Sequence, residues 1–364
     1  MPHLFDPFTL KGSTLRNRIA ASPMCMYSAE DGLANDWHAV HLPGLARGGA
    51  GLVMVEATAV TPEGRITPGC LGLWNDAQAE ALAPIVRNIQ AAGAAAGIQI
   101  GHAGRKASAN RPWEGDDHIP EGDPRGWTTL APSAIAFGAN LPRVPQAMTL
   151  EDIARVQQGF VAAAIRARDA GFDWLMLHLA HGYLAQEFLY RGSNTRTDQY
   201  GGSAENRARF LLETIEAVRA VWPEDRPLIA RLGVIEFDGH DDQDMAEAIA
   251  LLTQAKAKGL DLVDVSIGFS TPTAQIPWKN GTLTAPYAAR VRAETGLPVA
   301  TSWNIGTAEN ADTLIREGKI DLAMLGRPLL ANPHWPYAAA KALGVERPSW
   351  VLPAPYAHWL QRYA

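Results

Sequence analysis

Short apolar runs recur along the chain at residues 18–22, 51–57, 98–102, 172–178, 228–233, 262–267, 298–302 and 321–326. Each gives way to a polar or glycine-rich loop, followed in most cases by a segment of helical period. Unbroken apolarity over so short a run predicts a strand buried on both faces, as in parallel sheets. Eight strand–loop–helix units in succession predict an α/β fold closed into a TIM (β/α)8 barrel with right-handed crossovers. The helix after the third loop starts at Thr149, where Asp152 completes a capping box, and it carries Ile153, Val156, Phe160, Ala164 and Ala167 along one stripe to a stop at Gly171. A second starts at Ser203, runs through Phe210, Ile215 and Val218, and stops before Pro223. Others are expected over 78–92, 243–258 and 307–317.

Residues 103–148 break this rhythm. They are rich in Pro, Gly, Trp and charge, show no sustained period, and read as a long excursion from the top face after the third strand. Such a loop serves as a lid or an interface arm, or is a plain surface insertion. The remainder reads as a single barrel domain over 1–364, with no solenoid repeat and no low-complexity tract beyond the alanine-rich 91–96.

Composition narrows the partners more than the fold. The 364 residues, 47% hydrophobic and 19% charged, could bury one large α/β core or two smaller ones. A formal net charge of −6 without acidic or basic blocks argues against nucleic acid or a membrane surface, and favours small, mostly uncharged partners. Cys25 and Cys70 are the only cysteines, too few for a disulfide framework or an all-cysteine metal site. A reduced cytoplasm fits, and neither a signal-like amino terminus nor a run of ~20 apolar residues suggests export or insertion.

The chemistry gathers where the strands end, because the first polar side chains beyond a buried strand sit at a barrel's carboxyl face. The fourth run, Phe172-Asp-Trp-Leu-Met-Leu-His178, is followed at once by His181 and Tyr183. Two imidazoles converging on one point make an oxyanion site, and a phenol that stays protonated near neutrality makes a general acid. A metal site built with His102 lacks a convincing further ligand, and satisfied core histidines are the plainer alternative. Arg231 ends the stretch Leu228-Ile-Ala-Arg in the fifth run, where it faces either an anion or a carboxylate partner. Gln99 lies inside the third run and needs a barrel-interior partner or a ligand edge. Ser302, Trp303 and Asn304 follow the seventh strand and Gly326 and Arg327 the eighth, the two loops that build the recurrent phosphate site of barrels. Cys25, in Pro23-Met24-Cys25-Met26-Tyr27 past the first strand, is either inert packing or a contact to a redox ring. No Gly-x-Gly-x-x-Gly follows a strand, so a separate dinucleotide domain is not expected.

Together these pieces resemble the old yellow enzyme family of FMN-dependent ene-reductases, and within it the bacterial xenobiotic reductase branch. The resemblance runs from Leu4-Phe-Asp-Pro7 to the carboxyl terminus. It rests on Arg16-Asn-Arg18, Pro23-Met-Cys25, Glu56-Ala-Thr58, Gly64-Arg65, His102-Ala-Gly-Arg105, His178-Leu-Ala-His181-Gly-Tyr183, Arg196-Thr-Asp198, Tyr200-Gly-Gly-Ser203, Asn206-Arg207 and Gly326-Arg327. It implies bound FMN, with NADPH or NADH as reductant and an activated alkene as substrate. Pro23, Met24, Cys25 and Ala57 would lie along the flavin, Gln99 would bond its pyrimidine edge, and Arg231 would sit by N1 and the C2 carbonyl. Ser302, Trp303, Asn304, Gly326 and Arg327 would hold the phosphate. His178 and His181 would grip the substrate oxygen, Tyr183 would donate the proton, and Tyr27 would line the pocket, with no metal required.

Two departures stand out. Relatives often send a carboxyl-terminal arginine into a neighbouring subunit, whereas this tail, about 350–364, offers Trp359, expected to form an aromatic wall with Trp303 in a homodimer or higher oligomer. Met26 stands where glutamine is common. Alternatives from other classes are a metal-dependent hydrolase using His102, His178 and His181, a Schiff-base aldolase, for which no strand ends in lysine, and a non-catalytic flavin-binding protein.

Overall fold

The computed structural model describes residues 2–278 and 281–363. Eight parallel strands close into a barrel: β1 (Ile19–Ala21), β2 (Leu52–Ala59), β3 (Ala95–Gly101), β4 (Trp174–Leu179), β5 (Leu228–Ile235), β6 (Leu262–Ile267), β7 (Val299–Thr301) and β8 (Leu322–Leu325). Each pairs with its sequence neighbours, and β8 returns to β1 through Ala323↔Ile19. All eight expected strands are present. Several overrun their apolar stretches: β2 continues to Ala59 after a register shift between Val55 and Ala57, β3 already starts at Ala95, β4 reaches Leu179, and β5 continues beyond Gly233.

Helices wrap the strands: α1 (Asp36–Arg47), α2 (Asp76–Ala91), α3 (Leu150–Asp169), α4 (Leu184–Leu189), α5 (Ala204–Arg219), α6 (Asp241–Ala257), α7 (Ala285–Thr295), α8 (Ala308–Arg316), α9 (Arg327–Ala331), α10 (Trp335–Ala342) and α11 (Ala354–Leu360). The Thr149–Asp152 capping box opens α3, and its stripe from Ile153 to Ala167 is buried. Its C-cap is Ala170, one residue before the expected Gly171, which takes the left-handed conformation just beyond. Ser203 caps α5 as expected. The 103–148 excursion is mostly irregular, with two single 3₁₀ turns and a two-residue parallel pair between Leu130–Ala131 and Gln146–Ala147.

The barrel interior follows from the two-residue strand period. Ala20, Leu52, Met54, Trp174, Met176, Ile229, Leu262, Ala300, Leu322 and Met324 form one apolar cluster, joined by Phe8 and Leu15 of an amino-terminal hairpin. Gly97 makes room there, since a β-carbon would press on Met54 and Trp174. One step up the same strands the residues turn polar: Trp174 and Met176 lead to His178, Ile229 to Arg231, Leu262 to Asp264 and Ser266, and Ala20 to Ser22. A packed floor therefore carries a layer of hydrogen-bonding groups facing the carboxyl end.

Candidate functional site

His178 is the fifth residue of β4, and the chain then turns through His181 (φ +63°) and Gly182 (φ +64°) into α4, with Tyr183 at its N-cap. Two successive left-handed residues fold the loop back, so three polar rings separated by five sequence positions meet. The ring centroids of His178 lie 4.9 Å from those of His181 and 5.0 Å from those of Tyr183, both edge-on. Gly182 is required, because a β-carbon there would collide with the Phe269 carbonyl oxygen.

The electrostatics of this cluster come from burial. His178 is pushed down to about 3 by desolvation, assisted by Arg231 and Lys106, and His181 falls well below the usual imidazole range for the same reasons with His178 added. Both rings are therefore neutral at physiological pH, offering one N–H each. Desolvation also holds the Tyr183 phenol well above 10, so it keeps its proton. The linked stability effect has a definite sign. Below pH 6.5 the unfolded chain takes up a proton that folded His178 refuses until about pH 3, so stability falls as pH drops through that window. The wild-type slope of unfolding free energy against pH between 6 and 4 is expected to exceed that of His178→Gln by about 1.4 kcal/mol per pH unit, read from urea titrations. Equal slopes would show that His178 titrates normally.

Arg231 lies inside β5 and has the carboxylate partner of one of its two sequence readings. Its Nε lies 3.3 Å from Asp264 Oδ2, while its terminal nitrogens donate to Ser22 Oγ at 3.1 Å and Ser302 Oγ at 2.7 Å. It also lines a cavity of about 830 Å3 at the carboxyl end. That cavity gathers Pro23, Met24, Cys25, His181, Arg231, Ser302, Trp303, Asn304, Gly326 and Arg327 from the ends of β1, β4, β5, β7 and β8. Met26, Ser22 and Thr307 line it too. Ala57, His178 and Tyr183 line a second space of about 10 Å3, the scale of one water, together with His102 and Cys70. His178 Nδ1 and His102 Nε2 are buried without a protein partner.

Other expected residues sit differently. Gln99 is buried in the barrel and its amide donates to Met176 Sδ at 3.0 Å. Tyr27, in a left-handed conformation (φ +50°), stacks edge-on against Trp113 of the excursion at 6.0 Å. Trp303 packs with His181, Phe269 and Trp278, whereas Trp359 on α11 is 79% exposed and stacks only on His358 among the described residues, so any wall with Trp303 needs a second copy. Burial raises the Cys25 thiol well above its usual range, with Glu56 adding to the effect, which favours the protonated thiol over the thiolate.

The sequence reading gave no role to three residues. Lys106, pushed down to about 7 by burial, donates from Nζ to the His181 and Phe269 carbonyl oxygens, both at 2.8 Å, and so ties the loops after β4 and β6 together. Its amine lies beyond β3 yet is committed to those carbonyls. Glu56 accepts from the Met26 amide at 3.1 Å and lies 3.5 Å from His38, fixing the loop that carries Cys25. Ser266 bonds both His181 and Trp303. Among the described residues, the ligand atoms of His102, His178 and His181 do not converge as a metal site requires; the one set that does is Asp238, Asp241 and Asp244, on and before α6.

A family model described as NADH:flavin oxidoreductase / NADH oxidase matches residues 3–346. The chain is 44% identical over 345 residues to an NADPH dehydrogenase of Geobacillus thermodenitrificans, covering 94% of this chain and 95% of that protein. Among solved structures it is similar to morphinone reductase in complex with tetrahydroNAD, with a TM-score of 0.79, 28% identity, and coverage of 94% of this chain and 91% of the other. It is likewise similar to the old yellow enzyme homologue of Zymomonas mobilis, with a TM-score of 0.78 and 28% identity over 94% of this chain and 93% of that one. No helix among the described residues is long and apolar enough to cross a membrane.

Proposed function

Because the chain belongs to the NADH:flavin oxidoreductase / NADH oxidase family, that of the old yellow enzyme, and is an FMN-dependent NAD(P)H oxidoreductase, we propose that it reduces the C=C bond of α,β-unsaturated carbonyls and other activated alkenes.

FMN fits what the chain offers. The cavity has the volume of a small-molecule site, two guanidinium groups for anionic or carbonyl oxygens, and apolar Pro23 and Met24 for a flat ring. Pro23, Met24, Cys25 and Ala57 would lie along the ring, with Gln99 and Arg231 at its polar edge, and Ser302, Trp303, Asn304, Gly326 and Arg327 would hold the phosphate. When bound, FMN supplies hydride exchange, taking hydride from NAD(P)H and giving it to the β-carbon of the alkene.

The protein supplies binding, polarisation and a proton. His178 and His181 hold the substrate carbonyl oxygen with neutral N–H donors, which stabilise the negative charge developing there without protonating it outright. Tyr183, beside both rings, delivers its proton to the α-carbon. Tyr27, Trp303 and, from a neighbouring copy, Trp359 close the pocket. The observation carrying this reading is the meeting of two neutral imidazoles and a protonated phenol at the end of β4, beside the cavity. NAD(P)H and alkene would take turns over one cavity, which is ping-pong order.

The test is the visible spectrum of the purified protein, followed anaerobically with NADPH and then with 2-cyclohexenone. A flavin spectrum that bleaches with NADPH and returns with the enone supports the proposal. Bleaching without return leaves a flavin oxidoreductase that is no ene-reductase. The tail proposal, a homodimer or higher assembly in which Trp359 enters a second copy's site, fails if light scattering finds only monomer.

A further inference from the structure

Ser266 points inward from β6, is fully buried, and places its Oγ 2.9 Å from His181 Nε2 and 3.0 Å from Trp303 Nε1. We propose that Ser266 is a positioning residue that sets the tautomer of His181, placing the ring's one hydrogen on Nδ1, the nitrogen left free for a ligand. This rests on the ene-reductase reading only in naming that ligand as the substrate's oxygen.

Donor and acceptor counting makes the assignment. An indole N–H can only donate, so Trp303 occupies one lone pair of the Ser266 oxygen. The hydroxyl has a single hydrogen, and among the described residues its one acceptor at bonding distance is His181 Nε2. If Nε2 carried the hydrogen, Ser266 would receive two donors while its own buried hydrogen met nothing, the costly arrangement for a buried polar group. The satisfied chain runs from Trp303 N–H to Ser266 oxygen, and from Ser266 O–H to a bare His181 Nε2. Neutral His181 then carries its hydrogen on Nδ1.

The surroundings keep the ring from escaping by a flip. Lys106 Nζ pins the His181 carbonyl, and the Phe269 and Trp303 rings flank the imidazole at 5.6 and 6.2 Å between centroids. Arg231 and Lys106 nearby disfavour a doubly protonated ring, in which both nitrogens would donate and the distinction would vanish. Exchange of the tautomer would turn the ligand-facing nitrogen from a donor into an acceptor, opposed to any carbonyl oxygen presented to it.

The experiment uses the FMN-loaded enzyme labelled with 15N-histidine, in which two-bond 1H–15N correlations distinguish the tautomers; loss of one set in His181→Asn assigns it. His181 is expected as Nδ1–H in the wild type and as Nε2–H or a mixture in Ser266→Ala. The dissociation constant of 2-cyclohexenone from the oxidised enzyme, read from the flavin spectrum, is expected to rise about tenfold in Ser266→Ala and to recover in Ser266→Thr. An Nε2–H signal in the wild type overturns the proposal, and so does an unchanged tautomer or an unchanged dissociation constant in Ser266→Ala. Should a variant not fold, the wild-type tautomer still decides. Failure of the enzyme to turn over the enone would count against the ene-reductase reading alone, because the tautomer is read without turnover.

Discussion

Tyr183→Phe is expected to slow reoxidation of the reduced enzyme by 2-cyclohexenone by roughly 10²- to 10⁴-fold, the range general acids contribute, while reduction by NADPH stays near the wild-type rate. The asymmetry follows from what the phenol does. NADPH oxidation asks no proton of Tyr183, whereas saturating an enone does. Phenylalanine keeps the edge-on ring contacts at 5.0 Å to His178 and 6.4 Å to His181, so the change removes the hydroxyl and little packing. Because burial holds the phenol protonated well above its ordinary range, the wild-type rate should show no loss of acid form up to pH 9. Stopped-flow measurement of the two half-reactions separates the cases: an oxidative rate unchanged in Tyr183→Phe means that water or another group supplies the proton.

Arg231→Met is expected to destabilise the fold strongly. Asp264 is fully buried, and Arg231 is its one ion-pair partner among the described residues. Removing one member of a buried pair costs about 3–5 kcal/mol, because the remaining charge has neither water nor a counter-ion. Burial already raises the Asp264 carboxyl against the opposing pull of Arg231, so without the guanidinium it would shift further toward the protonated form. Arg231→Met/Asp264→Leu should recover most of the loss in denaturant titrations of the apoprotein, while FMN affinity, read from flavin fluorescence, stays weak in both. Equal stability of Arg231→Met and the wild type would mean that Asp264 is neutral already and that the pair contributes little.

The strands were legible because each is buried on both faces and needs nothing but apolar side chains to say so. Their ends were less so: the apolar runs stop at Ala57 and Gly233, yet β2 continues to Ala59 after a register shift and β5 to Ile235. His178, His181 and Tyr183 could be read because strand-end position is itself chemical information. Ser266 left a fainter trace, the polar alternation of Asp264 and Ser266 inside an otherwise apolar run, which marks one face of a strand as hydrogen-bonded. Lys106 left none. It lies in an irregular segment without period, and its importance arises from two carbonyls contributed by loops 75 and 163 residues away.

The left-handed turn at His181 and Gly182 also limits how this site can change by mutation. Histidine and asparagine tolerate φ near +60° better than most side chains, whereas β-branched residues are strongly disfavoured there. Position 182 excludes every side chain, since even alanine would meet the Phe269 carbonyl. A saturation library at 181 should therefore return folded protein chiefly as His, Asn, Asp and Gly. Of these only His and Asn retain an N–H to offer, so the evolvable alphabet of the clamp at this position is two letters.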